Sequence, residues 1–118
     1  MAPTQTVPDA VLDQVVERLV EFYRPEKIYL FGSAARGEYG PDSDLDFLVV
    51  VPDDCPKEIR RSGAIYEVLG DLDLGVPVDV VPWRRSDFEG RAVAVVASLP
   101  ATVVREGRLV YDAQTLPI

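Results

Sequence analysis

The sequence predicts an α+β (α/β) fold: a small mixed β-sheet with helices packed mainly on one face. Three observations lead there. Apolar residues recur at helical spacing in three separate stretches. Four short apolar runs of strand length lie between or after them. The order α, β, β, α, β, α, β, with turn residues at the boundaries, suits a compact mixed sheet. A length of 118 residues with 47% hydrophobic content fits one domain, 1–118, with an ordinary core.

Asp9 is a candidate N-cap for a helix over 9–23. Val11, Leu12, Val15, Val16, Leu19 and Val20 form its apolar face, and Pro25 closes it. Lys27 to Phe31 is a short buried strand. Gly32 to Ser43 is a loop expected to begin with a helical turn. Leu45 to Val51 is a second strand, and Pro52-Asp53-Asp54 turns the chain. A helix is expected over about 56–70, then a connector over Asp71 to Pro77. Val78 to Val81 is a third strand, limited by Pro82. Ser86, with Glu89 three residues on, reads as a capping box for a helix over about 87–98, broken by Pro100. A turn leads to Glu106-Gly107 and a last strand, Arg108 to Tyr111.

Composition excludes whole classes of chemistry. There is one cysteine, Cys55, and no histidine. A disulfide within the chain, Cys/His zinc sites and His-dependent nucleophilic catalysis are ruled out for these residues. Any acid-base or metal chemistry falls to carboxylates, hydroxyls, Arg, Lys or Tyr. The net charge of -8 repels a nucleic-acid backbone, so direct nucleic-acid binding is not expected. The N-terminal stretch lacks the basic and apolar regions of a signal peptide, and no run of about 18 apolar residues exists. The expectation is a cytoplasmic protein without a membrane segment.

The stretch LFGSAARGEYGPDSDLDFLVVV, Leu30 to Val51, carries the functional signal. Residues i and i+2 of a strand project to one side, about 6.5–7 Å apart, so Asp44 and Asp46 leave the mouth of the second strand together. Leu45 and Phe47 point the other way, into the core. Like charges held so close repel unless a cation lies between them, and a hard cation such as Mg²⁺ takes oxygen ligands. Asp79, within PVDVV, supplies a third carboxylate; inside a buried strand it would be costly unless paired or metal-bound. Were the second and third strands neighbours, three carboxylates could hold two metal ions, as in phosphoryl and nucleotidyl transfer. Gly32 allows a tight turn after a strand. Ser33 adds a hydroxyl, a helix starting here would offer free N–H groups to an anion, and Arg36 could reach a phosphate. Each piece has a plainer alternative: a strand-end cap, an ordinary turn, a surface ion pair with Glu38 or Asp42.

Taken together, Gly32-Ser33, the ten-residue spacer, Asp44-x-Asp46 and the later Asp79 resemble the DNA polymerase beta-like nucleotidyltransferases. They resemble in particular the minimal nucleotidyltransferases that act as antitoxins of HEPN-type toxin partners. The resemblance covers nearly the whole chain. It implies a nucleotidyltransferase fold and a Mg²⁺-dependent site, with two ions and ATP as substrate. Asp44 and Asp46 would bind metal, and Asp79 would bind metal and act as base. Gly32 and Ser33 would hold the triphosphate, with Arg36 and Ser43 on the phosphate side or shaping the loop. The implied reaction moves AMP to a tyrosine of a HEPN-type RNase toxin. The helical domain by which larger relatives complete their acceptor pocket is not expected within these residues. Neutralisation by binding alone, and transfer to a small molecule, are the competing readings.

Other features have plainer expectations. Trp83 is expected to cap the core, with Arg84 and Arg85 offset by nearby acids; Arg60 and Arg61 read the same way. Tyr39 is the tyrosine expected to be exposed, and Cys55 is taken as incidental.

Overall fold

The computed structural model of the chain describes residues 9–35, 37, 44–61, 63–72 and 74–114. In order these form α1 (Asp9–Tyr23), β1 (Lys27–Phe31), β2 (Leu45–Val51), α2 (Lys57–Arg60), α3 (Ala64–Leu69), β3 (Val78–Arg84), α4 (Arg85–Ala94), α5 (Leu99–Glu106) and β4 (Arg108–Asp112). The strands join in one mixed sheet of order β3-β2-β1-β4. β1 runs antiparallel to β2 and β4, and β2 runs parallel to β3. This is the expected mixed α+β architecture. No described helix is long and apolar enough to cross a membrane.

β2 organises the core because six of its seven residues are buried. Its odd-numbered side chains, Leu45, Phe47, Val49 and Val51, join Ile28 and Leu30 of β1 on one face of the sheet. Leu12, Val15, Leu19 and Tyr23 of α1 pack onto them, as does Ile65 of α3. Each such side chain stabilises the fold by roughly 1.5–3 kcal/mol when fully buried. The opposite face carries a smaller cluster: Leu48 and Val50 of β2 meet Phe88 of α4 and Val103 of α5, with Tyr29, Phe31, Trp83 and Leu99 around them. The Tyr29 and Phe88 rings stack at 5.6 Å. The helices are thus weighted to one face, while α4 and α5 cover the other.

α1 ends where Arg24 adopts a left-handed conformation (φ 49), its N–H donating to the Val20 carbonyl at 2.9 Å before Pro25. Arg18 ties α1 to α3: its two terminal nitrogens donate to the Asp71 carboxylate at 2.7 and 3.1 Å, and Nη1 also donates to the Val68 carbonyl at 3.1 Å.

Several boundaries differ from the sequence expectation, each for a local reason. The helix expected over 56–70 is two helices, because Gly63 takes φ 96, a conformation no helix interior accepts. β3 runs through Pro82 to Arg84; it is an edge strand, where a missing N–H donor on the open side costs little. α4 starts at Arg85 rather than 87, without a capping box. The Ser86 N–H donates instead to the Asp53 carboxylate at 2.9 Å, across 33 residues of sequence. The helix expected to run to 98 stops at Ala94. Pro100 does not break a helix; it lies in the first turn of α5, capped by the Ser98 hydroxyl, which accepts from the Ala101 N–H at 3.2 Å. Gly107 lets α5 end against β1, since a Cβ there would lie 2.5 Å from the Val103 carbonyl oxygen and 3.2 Å from that of Leu30.

Trp83 does pack on the core cluster beneath α4. Arg84 pairs with Asp87 at 2.9 Å, and Arg85 with Glu89 at 3.2 Å and Glu26 at 3.4 Å. Arg61 pairs with Glu67 at 2.8 Å, while the Arg60 Nε donates to the Cys55 carbonyl at 3.2 Å. Cys55 is a buried free thiol.

Candidate active site

The three aspartates gather at one end of the sheet, where β2 and β3 both begin. Asp46 opposes Asp79 in the parallel β2–β3 ladder and Phe31 in the antiparallel β1–β2 ladder. Neighbouring strands lie about 4.8 Å apart, so the two carboxylates leave adjacent strands side by side. Both project from the α4–α5 face, opposite to Leu45, Phe47 and Val78. The Leu45 N–H donates to the Pro77 carbonyl at 2.9 Å, which pins the entry of β2 to that of β3. Asp44 lies one residue before β2, exposed to solvent.

Their environments differ. Asp46 is half-buried beside Phe31, whereas Asp79 is exposed on the edge strand. The expectation that Asp79 sits in a buried strand and needs a partner is therefore corrected: solvent already stabilises its charge. The carboxylate that carries a cost is Asp46. Burial pushes its pKa above the ordinary carboxylate value, and the charges of Asp79 and then Asp44 push it further the same way.

Gly32 closes the site from the β1 side. It has φ 78, and a Cβ there would stand 2.7 Å from Oδ2 of Asp46. A glycine is thus required twice, for the left-handed turn and for backbone approach to a carboxylate. Ser33 follows in a turn that continues through Ala35, with the Gly37 N–H donating to the Ala34 carbonyl at 3.3 Å. The expected helical turn would continue into Arg36 and Glu38, which lie outside the described residues. Arg36 and Ser43, named from the sequence for the phosphate side, lie outside the described residues, as does Tyr39.

Among the described residues no three acidic, Cys or His side chains are drawn together tightly enough to form a metal-holding group. The donor chemistry nevertheless suits a hard divalent cation: oxygen ligands only, with one carboxylate raised in energy by two others. Sequence reasoning missed two contributors. Phe31, the residue opposite Asp46 in the β1–β2 ladder, belongs to the apolar cluster on the α4–α5 face; its place as the last strand residue before Gly-Ser is the signal that could have found it. The contact of Gly32 with Asp46 could not be read without the β1–β2 register.

Comparison with known proteins bears on this arrangement. A family model described as a nucleotidyltransferase domain matches residues 12–108, a span containing Gly32, Ser33 and all three aspartates. Poly(A) polymerase PAPa of Candida albicans is 37% identical over 79 residues, 59% of this chain. The chain spans only 13% of that polymerase's length. A crystal structure from Sulfolobus solfataricus carrying the nucleotidyltransferase designation superposes with a TM-score of 0.52 at 22% identity, over 92% of this chain and 84% of that one. A crystal structure of a toxin–antitoxin with AMP-PNP superposes with a TM-score of 0.53 at 25% identity, over 86% of this chain and 74% of that one.

Proposed function

From the premise that the chain belongs to the nucleotidyltransferase domain family, we propose that it moves AMP from ATP to a hydroxyl, a tyrosine, of a HEPN-type RNase toxin and so acts as an antitoxin. Nucleotidyl transfer is the activity of the family. The pairing of Asp46 with Asp79 across the β2–β3 ladder, with Gly32 closed on Asp46, is the observation that carries the reading. The likeness to a toxin–antitoxin bound to AMP-PNP supports a nucleotide substrate and a protein partner.

Asp44, Asp46 and Asp79 would hold Mg²⁺, as one ion or two; when bound it supplies positive charge against the triphosphate and the leaving pyrophosphate. The chain's own residues do the rest. The Gly32-Ser33 turn offers backbone N–H groups and a hydroxyl to the phosphates. Asp79, solvated and on the edge strand, receives the proton of the acceptor hydroxyl. The acceptor oxygen bonds to the α-phosphorus, the bond from that phosphorus to the β-phosphate bridging oxygen breaks, and pyrophosphate departs with the electron pair. Positioning is the protein's main contribution.

The openness of the carboxylates, with Asp44 and Asp79 both exposed, favours a second reading in which the chain neutralises a toxin by binding alone. Purified protein with Mg²⁺ and ATP labelled at the α-phosphate, incubated with the toxin partner, separates the two. Label on the partner with wild type but not with Asp44→Asn/Asp46→Asn supports transfer. A tight, neutralising complex that never takes up label supports occlusion and rejects transfer.

A further inference from the structure

A cavity opens at the end of the sheet opposite the aspartates, where α1 stops and β2 turns toward α2. Phe22 and Tyr23 form its α1 side, Pro52, Cys55 and Pro56 its turn side, and Ile59 the α2 wall. Its volume is about 380 Å³, toward the low end of the roughly 300–1,000 Å³ of small-molecule sites. The turn is held by its own backbone: the Cys55 N–H donates to the Pro52 carbonyl at 3.0 Å, and the Ile59 N–H to the Pro56 carbonyl at 3.1 Å. The Phe22 and Tyr23 rings meet edge to face at 4.9 Å. The walls are thus set by the fold itself.

One polar group inside has no protein partner. Tyr23 is 4% exposed, yet its hydroxyl makes no hydrogen bond with any described residue. Nor is its oxygen sealed, since every fully enclosed side-chain nitrogen or oxygen among the described residues has a partner. The hydroxyl therefore opens into the cavity that Tyr23 lines. Burial first, and Cys55 second, push it up to about 12, so it remains a neutral donor. The Cys55 thiol already donates to the Pro56 carbonyl at 3.8 Å. Arg24 and Asp54 stand at the mouth, both exposed, one charge of each sign.

We propose that this cavity binds a small neutral molecule with an apolar, ring-sized body and one carbonyl-type oxygen, which accepts a hydrogen bond from the Tyr23 hydroxyl. The groups present select this class. Phenylalanine, proline and isoleucine side chains favour an apolar body. A neutral donor at depth favours an acceptor rather than an ion. A charged ligand would shed its hydration with no buried counter-ion to meet it, and the opposite charges at the mouth favour neither sign. A ligand without an acceptor would leave the hydroxyl unpaired. The inference does not depend on nucleotidyl transfer, since the aspartates lie at the other end of β2.

The probes are acetophenone, ethylbenzene (the same skeleton with the carbonyl replaced by a methylene) and benzoate. Each is titrated into the ¹⁵N-labelled whole chain, and the amide shifts of Tyr23, Cys55 and Ile59 are followed. Acetophenone and ethylbenzene are expected to move these amides, and benzoate to bind at least about tenfold more weakly than acetophenone. Tyr23→Phe keeps the ring and deletes the donor. It should weaken acetophenone by roughly two- to tenfold and leave ethylbenzene at least as tightly bound. Ile59→Trp, which fills the cavity, should abolish binding of both, with the circular dichroism spectrum unchanged from wild type. If no probe moves these amides, the hydroxyl is satisfied by solvent alone and the proposal fails. Equal weakening of acetophenone and ethylbenzene by Tyr23→Phe overturns it too, because the hydroxyl would then serve packing only. Benzoate binding most tightly, and losing that affinity in Arg24→Gln, would overturn it in favour of an anion site at the mouth.

Discussion

Replacing Gly32 by alanine tests the site through two separable effects. The first is conformational. At φ 78 an L-residue is strained, which costs roughly 1–2 kcal/mol relative to glycine. The second is steric: the new Cβ stands 2.7 Å from Oδ2 of Asp46, where ordinary contact begins at 3.4 Å, so the carboxylate must retreat by about 0.7 Å. A misplacement near 1 Å in a reacting group costs up to about 100-fold in rate. Gly75→Ala isolates the first effect. Gly75 has φ 69 and nothing within 4 Å of a built Cβ. Both variants should lower Tm by roughly 4 °C or more for each kcal/mol lost. Only Gly32→Ala should also lower AMP transfer by about 10- to 100-fold. Only it should shift the Asp46 carboxyl in a ¹³C-detected pH titration, a readout that needs no turnover. If the two variants transfer AMP within twofold of each other and leave the Asp46 titration unchanged, the contact between Gly32 and Asp46 plays no part in positioning.

Three further outcomes follow from the same geometry. Asp46→Asn removes a carboxylate that burial and two like charges hold above its ordinary pKa. The folded chain binds that proton more tightly than the unfolded chain, so stability falls as pH rises through the raised pKa. Asp46→Asn should therefore raise Tm at pH 7, lose that advantage in acid, and respond less to added Mg²⁺ than wild type in thermal melts. Burial pushes the Tyr23 hydroxyl up to about 12, so the stability its proton supplies is complete below the ordinary tyrosine pKa of 10.0 and declines above it. Tyr23→Phe should flatten the alkaline limb of a Tm–pH curve and remove a phenol that titrates near 12 from an absorbance titration near 295 nm. Ser98→Ala deletes both the α5 cap and the bond to the Arg91 carbonyl, and should cost about 1 kcal/mol in urea denaturation.

Much of this molecule is legible in its residues. The spacing of Leu12, Val15 and Leu19 sets α1, and unbroken apolar runs set β1 and β2, because periodicity reports which face a residue buries. What the residues conceal is tertiary. Gly63 divides a helix that periodicity alone would continue. Pro82 limits a central strand but not an edge strand, and edge position is a property of the sheet. Asp53, not Ser86, satisfies the start of α4, because a cap can arrive from a distant turn as well as from the chain itself. At the candidate site, the Asp44-x-Asp46 spacing placed both residues at the mouth of β2, and the adjacency of β2 and β3 brought Asp79 alongside. The exposure of Asp79 was hidden for the same reason as the fate of Pro82: PVDVV reads as interior, and only strand order reveals its open flank.

That open flank governs how an acceptor could be chosen. A pocket selects by enclosing its substrate and rejects what does not fit. Here the reacting group proposed to take the proton sits on the sheet's outermost strand, so the acceptor needs no cavity of matching size. Selection must then be made elsewhere, by whichever surface brings a hydroxyl to the edge and holds it there. Such a device gives up intrinsic discrimination and gains interchangeability: altering the docking face would redirect the chemistry to another acceptor without touching a residue of the aspartate cluster.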